Sequence, residues 1–127
     1  MNNCTFIGRF TADPALRRIE KDDGDDTCVA RFTLAVQRRF KGKSKVNFLD
    51  FEIWDSAAEV IVQYCHKGDV LIVNDSSARN NIYEDKKTGQ TISKIVFRIE
   101  KFDFPSNIGL ALVRKKKEDD DEEQKET

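Results

Sequence analysis

Few side chains in this sequence are placed to do covalent or acid–base chemistry. The one histidine, His66, reads as sitting near a helix C-terminus, where the dipole favours its cation, and no nucleophile stands beside it by spacing. Gly42-Lys43-Ser44 resembles the end of a phosphate-binding loop, but position 37, where that motif needs its first glycine, is Gln37. Asp50 and Glu52 lie two apart on one strand face and read as exposed sheet-face carboxylates, flanked by Phe48 and Trp54 rather than by groups that tune a catalytic pair. The residue types point to binding instead. Phe48 and Trp54 share a parity with those two acids, so both rings are expected on the polar face of their strand. Phe40 stands between Arg38-Arg39 and Lys41, and Tyr83 just before Lys86-Lys87. Flat rings can stack on nucleobases, and the cations between them can meet phosphates, so rings and cations at intervals suit an extended nucleic-acid strand.

The elements that must carry these residues follow from periodicity. Cys4-Thr-Phe-Ile-Gly-Arg-Phe10 reads as a strand stopped by Asp13-Pro14, and Asp22-Asp23-Gly24-Asp25-Asp26 as a solvated turn. The clearest alternation follows: Cys28, Ala30, Phe32, Leu34 and Val36 on one face, Arg31, Thr33, Gln37 and Arg39 on the other. Lys41-Gly-Lys-Ser-Lys45 reads as a basic loop, and Phe48-Leu-Asp-Phe-Glu-Ile-Trp54 as a strand with Leu49, Phe51 and Ile53 inward. After Trp54 the period becomes helical, with Asp55 or Ser56 as N-cap, Ala57, Val60, Ile61 and Tyr64 on one face, and Gly68 as the stop. A short apolar strand is expected over Val70-Leu-Ile-Val73. Two more flank the turn Lys86-Lys-Thr-Gly-Gln90, the last with Ile95, Phe97 and Ile99 on one face. Five main strands with one helix between the third and fourth predict a mainly β protein, a small Greek-key barrel of the OB-fold type.

The chain has 127 residues, and its net charge of −1 hides a division. The first 117 residues hold 21 basic and 16 acidic side chains, while residues 118–127 hold seven acids against Lys125. The sequence thus predicts a mildly basic body up to Lys117 followed by a disordered acidic tail, with the binding domain over 1–104 and a linker and tail over 105–127. Residues 108–113 are apolar and have no assigned role. No run of residues is apolar and long enough to span a membrane, and the polar start lacks the order of a signal peptide, so a cytoplasmic protein is expected. Cys4, Cys28 and Cys65 have no metal-ligand or disulfide spacing and read as reduced core thiols; no metal or cofactor is expected.

Four stretches together resemble the bacterial and phage single-stranded DNA-binding proteins. They are Asn3-Cys-Thr-Phe-Ile-Gly-Arg-Phe-Thr-Ala-Asp-Pro14, Val29-Ala-Arg-Phe-Thr-Leu-Ala-Val36, the segment from Phe48 to Tyr64, and Lys67-Gly-Asp-Val70. The resemblance implies sequence-tolerant binding of single-stranded DNA in replication, recombination or repair, by a homo-oligomer, commonly a tetramer with a dimer as the alternative. It matches Phe40, Phe48, Trp54 and Tyr83 to the stacking aromatics. For such binders the general stacking contribution is about 1–3 kcal/mol per base, a family-wide value rather than a property of this chain. Phosphate contacts are expected from Arg9, Arg31, Arg38, Arg39, Lys41, Lys43, Lys45, Arg79, Lys86 and Lys87. Family tails commonly end in acids followed by a hydrophobic tip. Here Glu123-Gln-Lys-Glu-Thr127 has acids without a tip, so docking onto replication and repair proteins by that route is not expected. An RNA-binding OB module and a non-catalytic protein-interaction module of a replication complex are the alternative readings.

Overall fold

In the computed structural model, which describes residues 1–105, the alternating segment around Phe32 forms one wall of a closed β-barrel. The elements are β1 (Cys4–Phe10), β2 (Ala15–Ile19), β3 (Thr27–Phe40), β4 (Lys43–Trp54), α1 (Asp55–Tyr64), β5 (Val70–Glu84) and β6 (Thr91–Asp103). The ring runs β1-β5-β6-β4-β3 and closes where the end of β1 pairs with β3, at Arg9↔Ala35 and Phe10↔Leu34. All these pairings are antiparallel except β4–β6, which is parallel at Asp50↔Val96, Phe51↔Phe97 and Glu52↔Arg98. The barrel therefore has five strands, with the helix between its third and fourth members, and it is an OB-fold.

Closure depends on Gly8. A Cβ at this position would sit 2.9 Å from the Leu34 Cβ and 3.1 Å from the Ala35 carbonyl oxygen. Only a residue without a side chain lets β1 pass from β5 to β3 at that approach.

The core follows the alternation. Leu34, Phe51, Ile53 and Leu71 are each at most 2% exposed, and α1 covers one end of the barrel with Ala58 and Ile61. Phe6, Phe32 and Phe97 surround Phe51, with ring centres 5.4, 6.1 and 5.5 Å away. Cys28 and Cys65 are buried free thiols and Cys4 a half-buried one. Burial, and to a lesser degree Asp69, pushes the Cys65 thiol up to about 12.

Several local expectations change. β2 is an additional strand outside the ring, paired only with β3. With one neighbour and only Leu16 and Ile19 partly covered, it leaves almost no apolar signature. The short strand over residues 70–73 is the start of the fifteen-residue β5. Polar Asn74-Asp-Ser-Ser77 breaks the apolar run because β5 bulges there, and the buried Ser76 hydroxyl donates to the Cys4 carbonyl at 2.8 Å. The helix ends at Tyr64, and Gly68 serves the following turn at φ +92°. Trp54, with no side-chain cap bond, is the N-cap residue, and Asp55 is the first helical residue, its carboxylate accepting from the Thr27 hydroxyl. The inward helix face centres on Ala58 and Ile61 rather than on Val60 and Tyr64. The linker and tail expected after Pro105, including 108–113, lie outside the described residues.

Candidate nucleic-acid interface

The expected basic loop over 41–45 is not a loop. β3 and β4 continue past the barrel as a two-stranded ribbon that turns on Lys41 and Gly42, at φ +50° and +74°. Two consecutive left-handed residues make the tight hairpin turn that matches strand twist. The ribbon buries nothing on either side, so no hydrophobic alternation marks its residues as strand. Its register sorts the predicted side chains by face. Arg38 lies opposite Lys45 and Phe40 opposite Lys43. With Lys41 these residues line a cleft of about 420 Å³. Lys41 Nζ sits 5.4 Å from the Phe40 ring centre. The other ribbon face carries Arg39, Val46 and Phe48, since Arg39 pairs with Ser44, Gln37 with Val46 and Ala35 with Phe48. Phe40 and Phe48 are 61% and 68% exposed, so both rings stand in solvent on opposite sides of one ribbon.

Phe48 opens onto the outer wall of the barrel. Its row continues through Asp50, Glu52 and Trp54, with Arg31 and Thr33 beside it on β3 and Val96 and Arg98 on β6. Beyond β6, Arg79 pairs with Val96, Asn81 with Lys94 and Tyr83 with Ile92. A cleft of about 290 Å³ joins the two sides, lined by Arg31, Thr33, Asp50, Asn81, Tyr83 and Lys94 among others. The fold thus brings Tyr83 toward Arg31, fifty-two positions earlier in the chain. Arg9 is opposite Ala35 at the barrel closure, and its Nη1 donates to the Gly68 carbonyl at 3.0 Å. Arg79 Nε donates to the Ser77 hydroxyl at 3.4 Å. Lys86 and Lys87 are exposed in the turn at the end of the β5–β6 hairpin.

Asp50 is exposed, as expected, and accepts from the Thr33 hydroxyl at 2.7 Å. Glu52 is not: although its parity is outward, it is 7% exposed. Arg98 Nε donates to one of its oxygens at 2.9 Å, and Arg31 Nε is 3.7 Å from the other. Two guanidinium groups closing over one carboxylate account for its burial. Trp54 is half-buried, and the Arg98 guanidinium lies 5.2 Å from its ring centre. Arg98 and Lys94 are further cations of this wall, beyond those expected from the sequence. Their signal is present in β6, because Phe97 and Ile99 point inward and residues 94, 96 and 98 therefore point outward. Among the described residues no group of three His, Cys, Asp or Glu side chains could hold a metal, and no helix is long and apolar enough to cross a membrane. His66 lies beyond the helix, in the turn where its backbone N–H donates to Asp69, and takes no part in this face.

A five-stranded OB barrel whose outer wall and projecting ribbon carry exposed rings among cations defines a class of oligonucleotide-binding modules. Within that class the chain belongs to the single-strand binding protein family, whose family model matches residues 1–105. It is similar to a single-stranded DNA-binding protein of Clostridium perfringens, 38% identical over 104 residues that make up 82% of this chain and 65% of that protein. Single-stranded DNA-binding protein 3 of Clostridium acetobutylicum is 35% identical, over 76% of this chain and 66% of that protein. Single-stranded DNA-binding protein 1 of a Nostoc species is 34% identical, over 81% of this chain and 82% of that protein. The chain thus spans about two thirds of the length of the clostridial relatives.

Proposed function

We propose that this protein binds single-stranded DNA without sequence preference, as a non-catalytic protein that keeps exposed strands extended and covered during replication, recombination or repair. The observation that carries this reading is the β3–β4 ribbon, on which Phe40 and Phe48 stand exposed among Arg38, Arg39, Lys41, Lys43 and Lys45 with no packing role. Bases stack on Phe40, Phe48 and Tyr83, with Trp54 contributing to the same wall, and phosphates meet the ribbon cations together with Arg9, Arg31, Arg79, Lys86 and Lys87. Asp50 on the barrel wall repels phosphate, so the backbone of the strand runs along the flanking cations and the bases face β4. The binding unit is residues 1–104, working in the cytoplasm as a homo-oligomer, a tetramer being the form the family resemblance implies.

Fluorescence anisotropy of labelled oligo-dT, titrated at several salt concentrations with parallel mass determination, tests the reading. If roughly five cations meet phosphates, the log–log salt slope is about −3.5, from about 0.7 per contact on single strands. Binding that is absent, or indifferent to salt, overturns it. A matched RNA oligomer that competes equally well removes the preference for DNA.

A further inference from the structure

The chain ahead of β1 reaches further along β5 than the strand pairing does. The β1–β5 ladder ends at Cys4↔Ser76, beside the β5 bulge, where the Ser76 hydroxyl donates to the Cys4 carbonyl. Continued in the same antiparallel register, the next rung would join Asn2 to Ala78. That rung exists, but a side chain makes it. The Asn2 carboxamide donates through Nδ2 to the Ala78 carbonyl and accepts through Oδ1 from the Ala78 N–H, each at 2.8 Å. A carboxamide carries the same donor and acceptor as a peptide unit, so it replaces both bonds that a strand residue would exchange there.

Ala78 marks the place where the β5–β6 hairpin leaves the barrel. It lies opposite Phe97, and Phe97 lies opposite Phe51, so one row runs from β4 through β6 and β5 to Asn2. Toward the core the Phe97 ring packs on Phe6 and Phe51, with ring centres 4.8 and 5.5 Å away. Beyond Ala78, β5 pairs with β6 alone, and β6 meets β4 only from Val96 to Arg98. A two-stranded hairpin has little stability of its own, so the bonds at its base set the direction in which it projects. The cleft of about 290 Å³ depends on that direction, because Arg31, Thr33 and Asp50 line it from the barrel wall and Asn81, Tyr83 and Lys94 from the hairpin.

We propose that Asn2 is a positioning residue of the nucleic-acid interface. Its carboxamide closes the last rung on the outer edge of β5 and so fixes the angle at which the hairpin holds Tyr83 and Lys94 against the strand lying along β3 and β4. Asn2 acts through the hairpin, without itself touching a base or a phosphate. The proposal rests on the single-strand binding reading, and its test separates the two.

The test uses the full chain with no tag ahead of Met1. Anisotropy of labelled oligo-dT first establishes binding by the wild type; its absence at every salt concentration overturns the single-strand reading and the proposal with it. With binding established, Asn2→Ala is expected to weaken it by about fivefold, a modest coupling between linked groups, while the urea midpoint stays nearly unchanged. Partner variants then distinguish positioning from a general loss of structure. In the Tyr83→Ala background Asn2→Ala is expected to cost little further affinity, because the ring it positions is gone, whereas in the Phe48→Ala background the two losses should multiply. Amide exchange of the free protein gives the second readout: Asn2→Ala is expected to speed exchange at Ala78 and along the hairpin and to leave the β3 amides around Phe32 as they are. Wild-type affinity in Asn2→Ala, losses that multiply with Tyr83→Ala, or an Ala78 amide that exchanges as slowly as before each overturns the proposal and leaves the binding reading standing.

Discussion

β3 and β4 pass through two regimes without a break in their pairing. Inside the barrel, Ala30, Phe32 and Leu34 on β3 and Phe51 and Ile53 on β4 are each at most 8% exposed. Past Val36 the same two strands form the ribbon, where every residue from Gln37 through Phe48 is exposed on both faces. There Arg38 stands directly opposite Lys45, an arrangement that weakens a β-pair. The barrel is held by burial. The ribbon is held only by its ladder and its turn, and it keeps rings and like charges that do nothing for folding. A segment of that kind is suited to a partner that supplies the missing stacking and the missing negative charge.

The comparison yields graded predictions. Phe51→Ala, which empties the centre of the aromatic cluster, is expected to lower the free energy of unfolding by about 3–5 kcal/mol in urea denaturation. Gly8→Ala forces a methyl group against the Leu34 Cβ and is expected to cost about 1–3 kcal/mol in the same measurement. Phe48→Ala should invert the pattern. By the family-wide value for a stacked base it weakens oligo-dT binding by about 1–3 kcal/mol, while stability stays within about 0.5 kcal/mol. A loss of stability as large as that of Gly8→Ala would make the ribbon part of the folding core and erase the distinction. Arg38→Ala is expected to make the salt slope shallower by about 0.7 and, by removing a like charge opposite Lys45, to leave the unfolding midpoint unchanged or slightly raised. The smallest effect is expected for Lys41→Asn, which places a residue tolerant of positive φ before Gly42. It should slow amide exchange in the ribbon and leave the barrel amides as they are.

Legibility in the sequence followed burial. The segment around Phe32 could be read because one face is in the core and the other in water, and the helix because its period shifts after Trp54. β2 and the ribbon escaped for one reason: a strand that covers little has no alternation to show. The interface divides along the same line. Phe40 and Phe48 were visible because large rings among charges have no folding purpose there, whereas Arg98 needed the inward phase of Phe97 and Ile99 before its direction could be assigned. Glu52 is buried despite its outward parity, because parity reports which way a side chain leaves the backbone, not what closes over it.

By itself, then, the sequence determined the barrel type, the inward residues around Phe32 and Phe51 and the solvent-facing rings of Phe40 and Phe48, since these follow from local period and composition. Only the tertiary structure decided that β3 and β4 extend into a ribbon, that β1 crosses the barrel at Gly8, and that Glu52, Arg98 and Trp54 meet. Glu52 and Arg98 are forty-six positions apart in the chain, and they are joined by a parallel β4–β6 pairing that leaves no mark on either strand alone.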